Sequence, residues 1–254
     1  MIRSIAPLPS PEGLASPRLL SLGDVALFLD LDGTLAPIEA SPDKVGPDPG
    51  RTALLDRLQP WLGGRLAVLS GRSVDEVDRI LGGAVTCVSG GHGRERRTPD
   101  GARIDVRPHP DLPAVAAMLE SFAAAQRGLL LERKACSLAL HYRGHPPAAA
   151  ACLDVAHRLA KAHGLAVIEG RMVVELLTPG PNKGDALEVF MQEPTFAGRR
   201  PVMVGDDLTD EPAFEAAAAL GGFGVLVGEP RETAARHRLA NPGAVMAWLS
   251  GSLL

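Results

Sequence analysis

The chain has 254 residues, 46% of them hydrophobic and 22% charged, which suits one large domain or two unequal ones with a sizeable core. A formal charge of −4 argues against a general nucleic-acid binder, and no run of 18 apolar residues offers a membrane span. Aromatics make up 4% of the chain, so a polar ligand would be held by hydrogen bonds and charge rather than by stacking.

Residues 1–24 are broken by prolines and polar side chains and lack the apolar stretch of a signal peptide; they read as a partly ordered lead-in. The first strand is predicted at residues 26–31, an apolar run that carries Asp30 and is followed by Asp32, Gly33 and Thr34. Residues two apart in an extended segment point the same way, so both carboxylates project together. Two like charges that close need a proton or a cation for relief, and Mg²⁺, a hard ion that prefers oxygen, is the natural one. An Asx-type turn, or the metal-binding DxD of a glycosyltransferase, would also fit this stretch alone. A helix then starts at Asp48 as N-cap and Pro49 as N1. The second strand, residues 65–70, ends at Ser70, and the Ser70 hydroxyl, the Gly71 N–H and the helix capped by Ser73 form an anion site. Arg72 would reach a phosphate there or pair on the surface. A third strand at 84–89 is followed by His92 and Glu95, which contact a ligand or brace the hairpin predicted at 94–106.

The rhythm changes between residues 108 and 178. Helix (114–126), two strands (129–132, 137–143), helix (148–163) and two strands (165–169, 172–177) form a repeated α-β-β unit. It reads as a small antiparallel sheet with helices on one face, inserted between proline-rich joints. Lys183 follows, one residue after the predicted N-cap Asn182. A cation in a first helical turn opposes the helix dipole, and a broken local rule hints at function. Strands at 201–205 and 224–228 bracket "GDDLTDEPAFEAAAAL", where Asp206 and Asp207 end a strand and Asp210 and Glu211 open a helix. The latter two carboxylates alone would serve the dipole; the former two look like part of a metal site. A last helix closes the chain. The three cysteines, Cys87, Cys136 and Cys152, have no CxxC spacing and read as reduced core thiols in a cytoplasmic protein.

Alternating strands and helices predict an α/β fold with a doubly wound, parallel, Rossmann-like sheet, and such sheets bind ligands at strand carboxyl ends. The inserted unit is predicted as a smaller α+β cap. Expected boundaries are 1–107 with 179–254 for the core domain and 108–178 for the cap.

The succession "DLDGT", "SGR", a lone lysine and "GDDLTD", each at a strand end, resembles the haloacid dehalogenase superfamily of phosphotransferases. Within it, "GGHGRERR", "ERKACSLALHYR" and "EGRMVVELLTPGPNKGDAL" resemble the trehalose-6-phosphate phosphatase family. The resemblance spans about residues 26–226. It implies Asp30 as nucleophile forming an aspartyl-phosphate, and Asp32 as general acid and then base. It implies Mg²⁺ on Asp30, the Asp32 carbonyl and Asp206, with Asp207 and Asp210 orienting these ligands from behind. Ser70, Gly71, Arg72 and Lys183 would hold phosphate, and Glu132, Lys134, Glu169 and His92 the sugar. Glu175, among apolar neighbours, would serve the sugar or face solvent, and His141 and Tyr142 read as structural. The implied substrate is a small sugar phosphate, with no nucleic acid, no membrane and no named protein partner. Sucrose-phosphate or mannosylglycerate-phosphate phosphatases share the fold, and a non-catalytic phosphosugar-binding module is the alternative of another class. "GGHG" and "ERKACS" stand where close variants of the family motif are usual.

Overall fold

Strand β1, Val25–Leu29, is apolar at every position because both faces of its sheet are covered. Val25, Leu27 and Leu29 join one apolar cluster; Ala26 and Phe28 join another. The structure, a computed structural model, describes residues 13–21, 23–39, 42–170 and 172–254. It divides into two units, Met1–Ile104 with Pro181–Leu254, and Asp105–Gly180.

In the first unit the strands are β1, β2 (Leu66–Leu69), β3 (Cys87–Gly90), β4 (Glu95–Arg97), β5 (Arg103–Asp105, whose last residue belongs to the second unit), β10 (Arg200–Gly205), β11 (Phe223–Val227) and β12 (His237–Leu239). Their sheet order is β12-β11-β10-β1-β2-β3-β4-β5. The six strands from β12 to β3 pair in parallel, and β4 turns back antiparallel to β3. Successive strands move outward from β1 one way and from β10 the other, so the order reverses between those two neighbours, where an open parallel sheet leaves a crevice.

Helices α1 (Pro49–Trp61), α2 (Val74–Leu81) and α7 (Pro242–Gly251) cover one face through Leu54, Leu55, Leu58, Val77, Ile80, Val245 and Leu249. Helices α5 (Lys183–Gln192) and α6 (Glu211–Ala219) cover the other through Leu187, Phe190, Ala213 and Phe214. There Phe28 stacks 5.6 Å from Phe196 and 6.3 Å from Phe190, centroid to centroid, a spacing at which aromatic rings attract. The expected caps are in place: Asp48 accepts from the Arg51 N–H at 2.7 Å, and Ser73 and Glu76 form a reciprocal capping box.

One element differs from expectation. β12, with the sequence His-Arg-Leu, has no strand pattern of its own and exists by pairing with β11. The described part of the lead-in is docked: the Trp248 indole donates to the Arg18 carbonyl at 2.9 Å, and the Leu20 N–H donates to Ser252 Oγ at 3.0 Å. Residues 1–12 of that lead-in lie outside the described residues.

The second unit is a four-stranded antiparallel sheet, order β6-β7-β9-β8, from β6 (Leu130–Arg133), β7 (Ser137–His141), β8 (Ala166–Gly170) and β9 (Val173–Leu177). Helices α3 (Leu112–Ala124) and α4 (Ala149–His163) pack on the face that carries Leu138, Leu140, Val174 and Leu176. The three cysteines are free and buried thiols, and burial pushes Cys87 up to about 12. Among the described residues no helix is long and apolar enough to cross a membrane.

Candidate active site

The crevice between β1 and β10 receives the first carboxylates. Leu29 pairs in register with Val204, and the Asp30 N–H donates to the Val204 carbonyl at 2.9 Å. Asp30 and Asp206 therefore leave adjacent strands at the same edge. Gly33, with φ of 85°, lies so close to Asp206 that a Cβ there would sit 2.1 Å from its Oδ2. Only glycine combines that conformation with that approach.

Carboxylate oxygens of Asp30, Asp206 and Asp210 lie within 4.8 Å of one another. Lys183, the first residue of α5 after its N-cap Asn182, reaches into this group. Its Nζ donates to Asp30 Oδ1 at 2.7 Å and to Asp210 Oδ1 at 2.6 Å, and its side chain is 3% exposed. The Asp210 Oδ2 accepts from the backbone N–H groups of Asp206 (2.9 Å) and Asp207 (3.0 Å). Asp210 is thus saturated with donors and braces the loop. Asp206 Oδ1, in contrast, is buried and accepts no hydrogen bond.

These charges are strongly perturbed. Burial, then the neighbouring Asp210 and Asp206 charges, hold Asp30 well above the ordinary carboxylate range, with Lys183 opposing. Burial, then Asp210 and Asp207, push Asp206 up to about 7. Burial disfavours the charge on Lys183, but Asp210 and Asp30 together outweigh it and keep its pKa above the usual lysine value. A buried carboxylate oxygen without a donor, beside a second crowded carboxylate, is a set of hard oxygen ligands that fits a divalent cation. The fit rests on Asp30 and Asp206. The Asp32 side chain points elsewhere.

Asp32 is gripped by Arg72, whose Nε donates to Asp32 Oδ2 at 2.6 Å and whose Nη2 donates to Asp32 Oδ1 at 2.7 Å and to the Pro42 carbonyl at 3.0 Å. Arg72, expected to reach a phosphate or to pair on the surface, is placed as a bidentate fork for a carboxylate 40 residues earlier. Ser70 is buried, and its Oγ accepts from the Arg72 N–H at 3.1 Å. The His92 N–H donates to the Ser70 carbonyl at 2.9 Å, and a Cβ on Gly71 would meet the His92 ring at 2.4 Å. Ser70, Gly71 and His92 are thus one packed turn at the end of β2. Asp207 caps the turn that follows it, accepting from the Leu208 N–H at 2.8 Å.

The second unit separates its expected sugar residues. Glu132 and Glu175 are both cross-strand partners of Ala139, so they share the sheet face away from the helices. Glu132 pairs with His141 at 2.8 Å, and that hydrogen bond holds its pKa below the usual value against the cost of burial. Lys134 Nζ pairs with Glu175 Oε1 at 3.2 Å, and Ser137 Oγ also donates to Glu175. Glu169 pairs in register with Val174, which puts it on the helix-covered face, where it is exposed and meets His157 of α4 at 2.8 Å. The structure does not bring Glu169 together with Glu132 and Lys134. It puts Glu175 there, buried rather than facing solvent.

Two residues near Asp206 were not singled out by sequence as functional. Arg231 donates through Nη2 to the Asp207 carbonyl at 2.9 Å and the Asp206 carbonyl at 3.4 Å. Glu211, readable as a dipole residue at the start of α6, accepts from Arg231. No spacing rule marks a loop arginine that reaches back more than 20 residues.

A family model described as trehalose-phosphatase matches residues 28–241. The trehalose-6-phosphate phosphatase of Escherichia coli (strain K12) is 39% identical over 227 residues, covering 88% of this chain and 85% of that protein. The chain belongs to the trehalose-phosphatase family. As a member it is a phosphoric monoester hydrolase. The probable trehalose-phosphate phosphatase of Sinorhizobium fredii (strain NBRC 101917 / NGR234) is 38% identical over 221 residues, covering 86% and 83% of the two chains. Among solved structures, a trehalose-6-phosphate phosphatase related protein superposes with a TM-score of 0.73 at 27% identity, covering 89% of this chain and 96% of the other. A haloacid dehalogenase-like hydrolase from Bacteroides thetaiotaomicron, at 17% identity and a TM-score of 0.65 over 90% of this chain and 99% of the other, shares the fold. The trehalose-phosphatase match thus covers the end of β1 with Asp30, Lys183 and the Asp206–Asp210 loop, the segments that build the acidic site.

Proposed function

We propose that this chain hydrolyses trehalose 6-phosphate to trehalose and phosphate, with Mg²⁺, through an aspartyl-phosphate on Asp30. The carrying observation is Asp30 itself: a buried carboxylate at the end of β1, tied to Lys183 and grouped within 4.8 Å with carboxylate oxygens of Asp206 and Asp210. The substrate comes from the relatives' names. In the first step an Asp30 oxygen forms a bond to phosphorus as the bond to the sugar oxygen breaks, and Asp32 gives that oxygen a proton. In the second, water attacks phosphorus, Asp32 takes its proton, and Asp30 is released. Lys183 offsets charge on the phosphoryl oxygens, with Ser70 and Gly71 completing the cradle. Arg72 holds Asp32 in place. Mg²⁺, held by Asp30, Asp206 and the Asp32 carbonyl, would neutralise the phosphate and draw both anions together. Asp207 and Asp210 keep that loop in shape. We assign selection of the sugar to the polar row of Glu132, Lys134 and Glu175 in the second unit, with His92, and read that unit as a cap. Free thiols accord with a reducing cytoplasm.

Phosphate release from a panel with and without Mg²⁺ tests this. Trehalose 6-phosphate should be turned over at least about 100-fold faster than glucose 6-phosphate, sucrose 6-phosphate or mannosyl-3-phosphoglycerate, since unpaired buried polar groups reject the wrong sugar. Preference for another sugar phosphate would discard the substrate assignment, and no release from any would favour a binding module.

Metal binding has its own signature. The folded protein holds the Asp206 proton to about pH 7, while the unfolded chain loses it near the ordinary aspartate value of 3.8. The metal-free fold therefore loses stability as pH rises between those values, and a cation must displace that proton below the upper one. At a Mg²⁺ concentration 100 times its dissociation constant at about pH 7.5, the gain of about 2.7 kcal/mol should raise Tm by roughly 5–10 °C. At about pH 5.5 the same Mg²⁺ should raise it by no more than roughly 3 °C. Equal shifts at both pH values would remove Asp206 from the cation site.

A further inference from the structure

The Asp206 carboxylate can face Asp30 only if the backbone of its loop is fixed. Asp210 fixes one side, by accepting the Asp206 and Asp207 N–H groups. The other side is held by a segment that none of the four motifs contains. Between β11 and β12 the chain reads Gly-Glu-Pro-Arg-Glu-Thr-Ala-Ala, and from it Arg231 turns its guanidinium toward the carbonyls of Asp206 and Asp207. The guanidinium is aimed by Glu211. Glu211 Oε1 accepts from Arg231 Nη1 and from Thr233 Oγ1 at 2.8 Å, and Glu211 Oε2 accepts from the Ala234 N–H at 2.8 Å. Arg231 Nη1 also donates to the Glu232 carbonyl at 3.0 Å. Both oxygens of Glu211 and both terminal nitrogens of Arg231 are engaged, so the fork has little freedom.

We propose that Arg231, oriented by Glu211, is a positioning residue for Asp206: it pins the 206–207 carbonyls so that the Asp206 carboxylate stays within reach of Asp30. This rests on the reading of Asp206 as a cation ligand. Groups one shell behind a metal ligand set its aim, and their loss usually weakens metal binding about 10–100-fold. A residue that merely held the loop folded would change thermal stability without changing the affinity of the folded protein for metal.

Mg²⁺ affinity of the whole folded chain, measured by calorimetric titration without substrate, decides this. Arg231→Met keeps the aliphatic stem and loses the fork. It should raise the Mg²⁺ dissociation constant at least about tenfold. At saturating Mg²⁺ its KM for trehalose 6-phosphate should stay within about twofold of the parent, since Arg231 is assigned no substrate contact. Glu211→Gln should act in the same direction more weakly, and Arg231→Lys should recover only part of the affinity, because a point charge cannot span two carbonyls. An unchanged Mg²⁺ dissociation constant in Arg231→Met overturns the proposal, whatever its Tm. Should Arg231→Met not fold, Arg231→Lys and Glu211→Gln are judged by the same criterion. Asp206→Asn separates the two readings. If it weakens Mg²⁺ and Arg231→Met does not, positioning fails and the metal reading stands. If neither weakens it, both fail.

Discussion

Asp30→Asn should abolish turnover and leave the protein as stable as before, or more so. The loss expected for removing a nucleophile is on the order of 10⁵-fold in kcat, about 7 kcal/mol of barrier. The fold has less reason to object. Asp30 is buried between Asp206 and Asp210, and burial outweighs the help it receives from Lys183, so its charge is held at a cost. Because its folded pKa is raised, that cost is absent at low pH and grows as pH climbs past the unfolded carboxylate value. Asparagine keeps the shape and never carries the charge. In chelator at about pH 7.5 the variant's Tm should equal or exceed the parent's, each kcal/mol gained appearing as roughly 2–4 °C. Lys183 retains Asp210 as a partner at 2.6 Å, so the substitution does not strand it. Wild-type-like phosphate release from the folded variant would refute the nucleophile. A Tm several degrees below the parent's would show that the pairing with Lys183 outweighs the burial of Asp30, which would reverse the sign of its contribution to stability.

How much of this was legible in the sequence depended on whether the cause was local. β1 was readable because a strand covered on both faces must be apolar at each position, and the carboxylates at its end break that pattern. Lys183 was readable because it violates the dipole preference of the turn that carries it. The doubly wound order followed from alternating elements and is found in the sheet. What sequence left open was long-range or turned on a single residue. Arg72 read as a phosphate ligand or a surface partner because it stands beside Ser70 and Gly71, and the carboxylate it grips, Asp32, comes from another loop. Glu169 and Glu175 sit in one hairpin on opposite faces, and pleat parity cannot be assigned from sequence until the pairing register is known. Glu175 stayed open between sugar and solvent because its neighbours are apolar, and only the fold shows it buried beside Lys134 and Ser137. Arg231 left no local trace, since the Asp206 and Asp207 groups it holds are main-chain carbonyls, the same for any sequence, and its side-chain partner Glu211 stands 20 residues earlier.

Lys183→Met should damage both folding and chemistry, in contrast to Asp30→Asn. The side chain is 3% exposed and stands between the carboxylates of Asp30 and Asp210, the latter fully buried. Removing one partner of such a group leaves uncompensated charge in the interior, a loss of about 3–5 kcal/mol in comparable buried pairs. Methionine fills most of the stem's volume, so packing should contribute little of this. The origin of the loss is checked by pH. With Lys183 gone, the remaining carboxylates can relieve each other by taking up a proton, so the deficit measured by urea unfolding should shrink on going from about pH 7.5 to about pH 5. Mg²⁺ should recover part of it too, by supplying positive charge beside Asp30 and Asp206. Activity should not return with stability: kcat at saturating Mg²⁺ should remain at least about 100-fold down, because in the proposed mechanism the lysine also offsets charge on the phosphoryl group. A deficit that is constant with pH would mean that Lys183 acts through packing, and near-normal kcat would remove it from the phosphate site. The pair of variants thus distinguishes the two partners of one ion pair. On the proposed mechanism Asp30 is kept at a cost to the metal-free fold because it reacts, and Lys183 makes that cost bearable.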